Sequence, residues 1–249
     1  MKKVITKYVE LRFYGNLNDF IHPRYRHTSF KHGYTGNPTV KDIIESTGVP
    51  HVEVSLVLVN GTISTLGIHL DEADRITCFP RFHSFDIGTN SLLAEEPEDP
   101  RFILDVHLGK LAKYLRIIGF DTIYRSDYMD LEIIQLANQE NRIILTRDLG
   151  ILRNGSVRFG YFIRSAEPKE QIKEVIYTFG LKTKAHPFSR CSLCNSEVVE
   201  VEKEKVLSSL NQNTKKYYHK FFRCTGCGQI YWEGSHFDRM VNFINGNLS

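Results

Sequence analysis

Apolar and polar positions follow a strand-and-helix rhythm in the middle of the chain. Between residues 108 and 118, apolar residues recur three or four positions apart, which is typical of an amphipathic helix. Short apolar runs on either side have the length of buried strands, and each leads to an acidic residue downstream: Phe102–Leu104 to Asp105, Ile123–Tyr124 to Asp130, and Ile143–Leu145 to Asp148. Strands alternating with helices predict an α/β domain with a parallel sheet.

The three acids are candidate ligands of a divalent metal ion. Parallel strands end at the same edge of a sheet, where α/β proteins bind ligands, so we expect Asp105, Asp130 and Asp148 to converge. Hard cations such as Mg²⁺ take oxygen ligands, including carboxylates. The competing explanation is that Asp130 only caps the predicted helix Leu131–Asn138. Glu132 is either a fourth oxygen ligand or a first-turn carboxylate favoured by the helix dipole.

The flanking regions carry further strand and helix patterns. A Pro-Thr pair favours the start of the helix at Val40, and Asn60-Gly61 is typical of a hairpin turn. The acidic, proline-punctuated segment Ala94–Pro100 predicts a domain boundary. The predicted elements are strands at Tyr8–Tyr14, Val52–Val59, Arg75–Phe79, Arg142–Leu145 and Tyr161–Arg164, and helices at Val40–Ser46, Leu108–Ile118, Leu131–Asn138 and Lys169–Phe179.

Four of the five cysteines form two C-x-x-C pairs, Cys191 with Cys194 and Cys224 with Cys227. Two such pairs supply the four thiolates of a tetrahedral structural zinc site. The alternative is a pair of redox disulfides, but neither pair opens a helix within a βαβ unit, as a thioredoxin-like motif does. The gap between the pairs predicts an inserted segment with a helix at Glu202–Leu210. Cys78 is predicted to be a buried core thiol.

Composition and charge limit the possible partners. With 249 residues, 41% of them hydrophobic, the chain is large enough for two or three small globular domains. A formal net charge of +3 means that any nucleic-acid surface must be a local patch. Residues 215–223 interleave basic and aromatic residues. They either bind a single strand of nucleic acid or form a β-strand with packed rings and solvated lysines. The polar start and the absence of a membrane-length apolar stretch predict a soluble, cytoplasmic protein.

Several longer stretches resemble a known family, the PIN-like ribonuclease domain named for the C-terminal region of the mutator-seven exonuclease. The resemblance covers most of the chain after Asp99. The stretches that carry it are Asp105–Arg116, Leu145-Thr146-Arg147-Asp148, Pro187–Cys191 and Cys224–His236. Near the N-terminus, Leu11–Tyr14, Leu17–Phe20, Val40–Asp42 and Leu58–Gly61 resemble the ubiquitin-like module often fused ahead of this domain.

This resemblance implies three domains in series: a ubiquitin-like β-grasp domain at 1–93, a PIN-like α/β nuclease domain with a parallel sheet at 101–181, and a zinc ribbon at 186–249. It implies that Asp105, Asp130 and Asp148 hold Mg²⁺ or Mn²⁺ and that Thr146 is a supporting hydroxyl. Asp127 or Glu132 is an alternative at the position of Asp130.

The resulting hypothesis is a metal-dependent ribonuclease with a structural zinc ion. Lys110 and Arg147 are expected to steady the RNA phosphates, and Lys113 and Arg116 to guide the strand by charge. The alternative keeps the fold without the chemistry, as a zinc-ribbon RNA-binding adaptor. A protein partner is also expected at a sheet edge of the ubiquitin-like domain. The identity of the RNA and the choice between endonuclease and exonuclease remain open.

Overall fold

The computed structural model describes residues 6–82, 88–93, 96–234, 237–238, 241–242 and 245–246. Contacts divide the chain into two compact units. The first unit combines Met1–Pro97 with Ile134–Phe162, and the second combines Glu98–Ile133 with Ile163–Ser249. Ala94 and Glu95 of the predicted linker lie outside the described residues. The three domain boundaries given above stay a prediction.

A five-stranded mixed sheet forms the N-terminal part of the first unit, and it has the ubiquitin-like arrangement. Its order is β2-β1-β5-β3-β4, with β1 and β5 parallel and the other neighbours antiparallel. The helix α1 buries its apolar residues in the same core as the sheet. The bounds are β1 Lys7–Phe13, β2 Phe30–Tyr34, α1 Val40–Ser46, β3 Leu56–Val59, β4 Thr62–Ser64 and β5 Arg75–Phe79.

Local signals explain where these elements begin and end. Thr39 caps α1 through a capping box, in which its hydroxyl accepts the Asp42 N–H and its own N–H donates to the Asp42 carboxylate at 2.8 Å. Asn60 and Gly61 both have positive φ, as the β3–β4 hairpin turn requires. The predicted strand Val52–Val59 is too long, because His51–Glu53 forms a 3₁₀ turn before β3. Cys78 is fully buried in the core, as predicted.

The middle of the chain forms parallel sheet and helices, which confirms the predicted fold class. β6 pairs in parallel with β7, and β8 pairs in parallel with β9. Gly119 and Gly180 follow two of the helices with left-handed φ, which glycine adopts without strain. The bounds are β6 Phe102–Leu104, α2 Gly109–Ile117, β7 Thr122–Ile123, α3 Asp130–Glu140, β8 Ile143–Thr146, α4 Leu149–Leu152, β9 Gly160–Phe162 and α5 Pro168–Thr178.

Within the first unit, residues 134–162 are hydrogen-bonded to the ubiquitin-like part. The buried Glu53 carboxylate accepts the Phe162 N–H at 2.6 Å. Arg153 donates to the Gly48 carbonyl at 2.8 Å, and the His51 ring lies 3.1 Å from the Val157 carbonyl oxygen. These polar contacts join segments that are about a hundred residues apart in sequence, as the Glu53–Phe162 separation of 109 shows.

The second unit ends in an antiparallel three-stranded sheet with a small apolar core, in the order β10-β11-β12. Its bounds are β10 Val198–Val201, α6 Gln212–Tyr217, β11 Phe221–Cys224 and β12 Ile230–Trp232. The predicted helix Glu202–Leu210 is wrong, since two 3₁₀ turns occupy it. Val206 lies between the turns with φ −120°, a conformation that interrupts an α-helix. In the described parts of the chain, no helix has the length and apolar character needed to cross a membrane.

We expect Glu53→Ala to lower the free energy of unfolding of the first unit by roughly 1–3 kcal/mol, because it leaves the Phe162 N–H without this acceptor. Urea unfolding followed by far-UV circular dichroism measures the loss. Glu10→Ala, at an exposed position of β1, is the matched control and should change the midpoint little. Equal midpoints for the two variants would show that the Glu53 bond contributes nothing.

Candidate functional site

The four paired cysteines come together at one end of the ribbon sheet. Their sulfur atoms all lie within 4.8 Å of one another. The Cys191 and Cys227 sulfurs are 3.6 Å apart, and those of Cys194 and Cys224 are 3.4 Å apart. A tetrahedral zinc ion with Zn–S bonds of about 2.3 Å separates its sulfur ligands by about 3.8 Å. The cluster can therefore hold a metal ion such as zinc, and all four thiols are free rather than disulfide-bonded.

Backbone geometry around the second pair supports charged sulfur. The N–H groups of Gly226 and Cys227 lie 3.3 and 3.4 Å from the Cys224 sulfur, where they stabilise a thiolate. Gly226 has no room for a side chain, because a Cβ would lie 2.3 Å from the Ser196 hydroxyl oxygen.

The thiols of this cluster do not ionise independently. Hydrogen bonds from Ser196, through its side chain and then its backbone, lower the pKa of Cys194 to about 6. The Gln229 backbone N–H favours the Cys227 thiolate, but burial and the neighbouring sulfurs outweigh it and raise the pKa of Cys227 to about 12. Four adjacent thiolates repel one another, so a cation is needed to hold them all in the ionised form.

Tyr231 supports the cluster from outside. Its hydroxyl lies 3.1 Å from the Cys191 sulfur and accepts the Ser192 N–H at 3.2 Å. Burial, followed by the Cys191 thiol, raises the pKa of Tyr231 to about 12, so the hydroxyl keeps its proton. A hydrogen bond to a ligand sulfur fixes the position of that ligand. The sequence does not indicate this role, because a tyrosine in a strand has the same pattern as a packing residue.

Arg116 ties the first cysteine pair to α2 and β7 of the same unit. It is only 5% exposed, and its guanidinium donates to the Thr122 carbonyl at 2.9 Å and the Leu193 carbonyl at 2.8 Å. Asn195 adds a bond, because its side-chain oxygen accepts the Thr122 N–H at 2.9 Å. The predicted role of Arg116 as an RNA guide does not fit this placement, since the charged group is buried among main-chain carbonyls.

Two of the predicted acids lie in the second unit. Asp105 follows β6, is 3% exposed, and accepts the His107 N–H at 2.8 Å. Asp130 is exposed at the start of α3.

The two alternatives to Asp130 are both engaged elsewhere. The Asp127 carboxylate is paired with Arg125 at 2.7 Å, and the hydrogen bonds from Arg125 lower the pKa of Asp127. The Glu132 carboxylate accepts the Met129 N–H at 2.8 Å, which is a capping role. Asp105 and Asp148 accept backbone N–H groups in the same way, so these contacts do not exclude either residue, and Asp127 and Glu132 stay alternatives to Asp130.

The third acid, Asp148, lies in the first unit after β8. One carboxylate oxygen caps α4 by accepting the Gly150 N–H at 2.6 Å, and the side chain is exposed. Its own N–H donates to the hydroxyl of Thr146 at 2.8 Å. Thr146 is fully buried, and this hydrogen bond from the Asp148 N–H shapes the turn that presents Asp148. The predicted acids thus belong to both units, and their convergence stays a prediction.

The remaining basic candidates are exposed. Lys110 and Lys113 lie on α2, and Arg147 lies between Thr146 and Asp148. Their contact with RNA stays a prediction.

The basic and aromatic segment 215–223 contains both buried and exposed rings, and its contact with a single strand stays a prediction. Phe221 is fully buried in the ribbon core, whereas Tyr217, at the end of α6, is 65% exposed.

Residues 100–244 match the model of the Mut7-C RNAse domain. The chain belongs to this family. Residues 6–86 match the Mut7-C ubiquitin model, in agreement with the five-stranded sheet of the first unit. The predicted family and domain types are confirmed, and membership of the Mut7-C RNAse family supports a nuclease role.

Two solved structures resemble part of this Mut7-C chain, and no curated protein matches it. The solution structure of the Haloferax volcanii HVO 2177 protein is 21% identical, covers 32% of this chain and 88% of its own, and has a TM-score of 0.27. The crystal structure of the H. volcanii small archaeal modifier protein 1 is 19% identical, covers 30% of this chain and 97% of its own, and has a TM-score of 0.24.

We expect native mass spectrometry to find one zinc ion per chain and Cys224→Ser to lose it. Removing the metal with a chelator should increase hydrogen exchange across the ribbon and also in residues 115–124, because Arg116 and Asn195 bind the first cysteine pair to that segment. Amides of α1, in the first unit, are the internal control and should keep their protection. A protein without bound metal, or unchanged exchange at 115–124, would contradict this expectation.

Proposed function

We propose that the chain is a ribonuclease that hydrolyses RNA phosphodiester bonds and depends on Mg²⁺ or Mn²⁺. The observation that carries the proposal is the placement of Asp105 directly after β6 and of Asp148 two residues after β8, both strands of parallel sheet, in a chain of an RNase domain family. Asp130, at the start of α3, is the third proposed acid. Carboxylates in such positions are the usual ligands of a hard divalent cation.

The local contacts fit this assignment. Asp105 and Asp148 each use a carboxylate oxygen to accept a backbone N–H two residues ahead, which fixes the side chain while an anionic carboxylate can still bind a cation. The Thr146 hydroxyl accepts the Asp148 N–H and so fixes the backbone of Asp148. A bound Mg²⁺ or Mn²⁺ would polarise the phosphoryl oxygen and lower the pKa of a water molecule.

The basic residues supply binding rather than chemistry. Lys110, Lys113 and Arg147 are exposed and are proposed to neutralise RNA phosphates, a contribution that does not depend on sequence. Zinc in the cysteine cluster is proposed to be structural, because four protein sulfurs complete a tetrahedral shell.

The ubiquitin-like sheet is proposed to bind a protein partner at its edge. β2 and β4 are its outer strands, and Ile63 of β4 is 51% exposed. An extended peptide can add to such an edge through main-chain hydrogen bonds.

We expect Asp148→Asn to abolish Mn²⁺-dependent cleavage of a labelled RNA while leaving the melting temperature nearly unchanged. Asparagine is as good a helix cap as aspartate, so the α4 cap survives, whereas the charge that attracts the cation is lost. Asp71→Asn, which removes one exposed carboxylate elsewhere in the same unit, is the matched control and should retain activity.

Two outcomes would contradict the assignment. Full activity of Asp148→Asn would remove Asp148 from the site. RNA binding by the wild-type protein without any metal-dependent change in RNA length would favour the adaptor hypothesis.

We expect the double variant Lys110→Gln/Lys113→Gln to bind single-stranded RNA more weakly and with less salt dependence. Each phosphate contact to a single strand contributes about 0.7 to the slope of log K against log salt, so two lost contacts reduce it by about 1.4. Fluorescence anisotropy at several salt concentrations measures the slope. Lys169→Gln/Lys182→Gln, which removes two exposed lysines elsewhere in the same unit, is the control, and equal slopes for the two double variants would contradict the role of α2.

A further inference from the structure

A cleft of about 720 Å³ lies in the ribbon part of the second unit, where it is lined mainly by aromatic and amide side chains. This volume falls within the range of roughly 300–1,000 Å³ that is typical of small-molecule sites. The side chains used below are Asn213, Tyr217, Tyr218, Gln229 and Trp232. The residues that line the cleft include none of the proposed catalytic residues and none of α2.

One wall of the cleft is held in place by the ribbon. The rings of Tyr218 and Trp232 have centroids 6.3 Å apart, and both pack against the small apolar core. Gly234 lies behind them, where a Cβ would be 2.8 Å from the indole nitrogen of Trp232. The absence of a side chain at Gly234 therefore allows Trp232 its position. These rings form a preformed apolar surface.

Another wall is exposed and carries positive charge. Tyr217 is 65% exposed, which is unusual for an aromatic residue that only stabilises a core. The Lys216 ammonium lies 5.4 Å from the centroid of the Tyr217 ring, and Lys215 shares the last turn of α6. The cleft thus has an aromatic ring at its border with the Lys216 cation beside that ring, and Lys215 is next to Lys216 in the same helical turn.

The polar lining consists of side-chain amides. Asn211 uses its oxygen to cap α6 by accepting the Thr214 N–H, and Gln229 donates to the Ile230 carbonyl. Each amide group has further donor or acceptor capacity, and Asn213 lines the same cleft. Amides that both donate and accept match the hydrogen-bonding edge of a nucleobase.

From this combination we propose that the cleft binds one unpaired nucleobase of an RNA strand, with Tyr217 stacking on the base and Lys215 and Lys216 binding the adjoining phosphates. The inference rests on the proposed function in taking RNA as the ligand. It adds a binding site whose lining includes none of the proposed acids and which selects single-stranded RNA, because a base inside a duplex cannot enter the cleft. The cations favour a nucleotide over an uncharged peptide as the occupant.

Trp232 provides a direct readout, because it is the only tryptophan in the chain. Zinc-loaded protein is titrated with a uridine hexamer, an adenosine hexamer and an abasic ribose-phosphate hexamer in buffer without Mg²⁺ or Mn²⁺. We expect saturable quenching of Trp232 fluorescence by both base-containing strands and little by the abasic strand. Equal quenching by the abasic strand, no quenching by any strand, or full competition by the neutral N-acetyl-phenylalanine amide would each overturn the proposal.

Variants separate stacking from folding. Tyr217→Ala should weaken binding of the uridine hexamer at least about 5-fold, as expected for the loss of one base-stacking side chain, and Tyr217→Phe should restore it. Tyr177→Ala is the matched control, since Tyr177 is 67% exposed on α5 of the same unit. Normal binding by Tyr217→Ala with an unchanged zinc content would overturn the role of Tyr217.

The measurement also distinguishes this inference from the proposed function. Binding is measured without added Mg²⁺ or Mn²⁺, and it can be repeated with Asp148→Asn. If wild-type protein cleaves RNA but Trp232 shows no base-dependent quenching, the cleft proposal fails alone. If quenching depends on the base but no cleavage occurs, the nuclease proposal fails alone.

Discussion

The hydrogen bonds of the buried Arg116 guanidinium are the interaction on which the second unit depends most. Burying a charge is costly unless its donors are paired, and here the partners are main-chain carbonyls of β7 and of the loop between Cys191 and Cys194. These hydrogen bonds therefore join the cysteine loop to the start of β7. A metal ion that orders the loop also orders the acceptors that Arg116 requires. In this way the ribbon contributes to the stability of a segment that precedes it by some 70 residues, as the 77-residue separation of Arg116 and Leu193 shows.

Much of the fold could be predicted from the sequence, because several elements carry their own signals. The capping box at Thr39, the left-handed Gly119 and the Asn60-Gly61 turn act within a few residues. The strands β2 and β4 were missed, since each is short, polar on one side and defined by its neighbours in the sheet rather than by its own pattern. The 3₁₀ turns before α6 were also missed, because their own sequence pattern does not define them.

The site was predictable in its chemistry and less so in its contacts. The spacing of the cysteines is a strong signal, because few other arrangements bring two C-x-x-C pairs together. The sequence alone does not distinguish the structural role of Arg116 from the proposed binding roles of Lys110 and Lys113. All three lie on one helix, and only the structure shows which of them is buried. Tyr231 was missed because its role depends on a hydroxyl that meets a residue 40 positions earlier. The candidate acids are identified by their positions after strands and at the start of α3 and by the family resemblance.

The interleaving of the two units has a consequence for how the chain folds as it is synthesised. The first unit includes residues up to Phe162, and the second combines Glu98–Ile133 with the chain from Ile163 onward. At about 5–20 residues per second, the ubiquitin-like part waits several seconds on the ribosome for its remaining segment. During that time the Glu53 carboxylate lacks the Phe162 N–H and the Gly48 carbonyl lacks Arg153. A nascent chain of this architecture therefore matures late, and fragments cut at the domain boundaries of the sequence would each lack part of a unit.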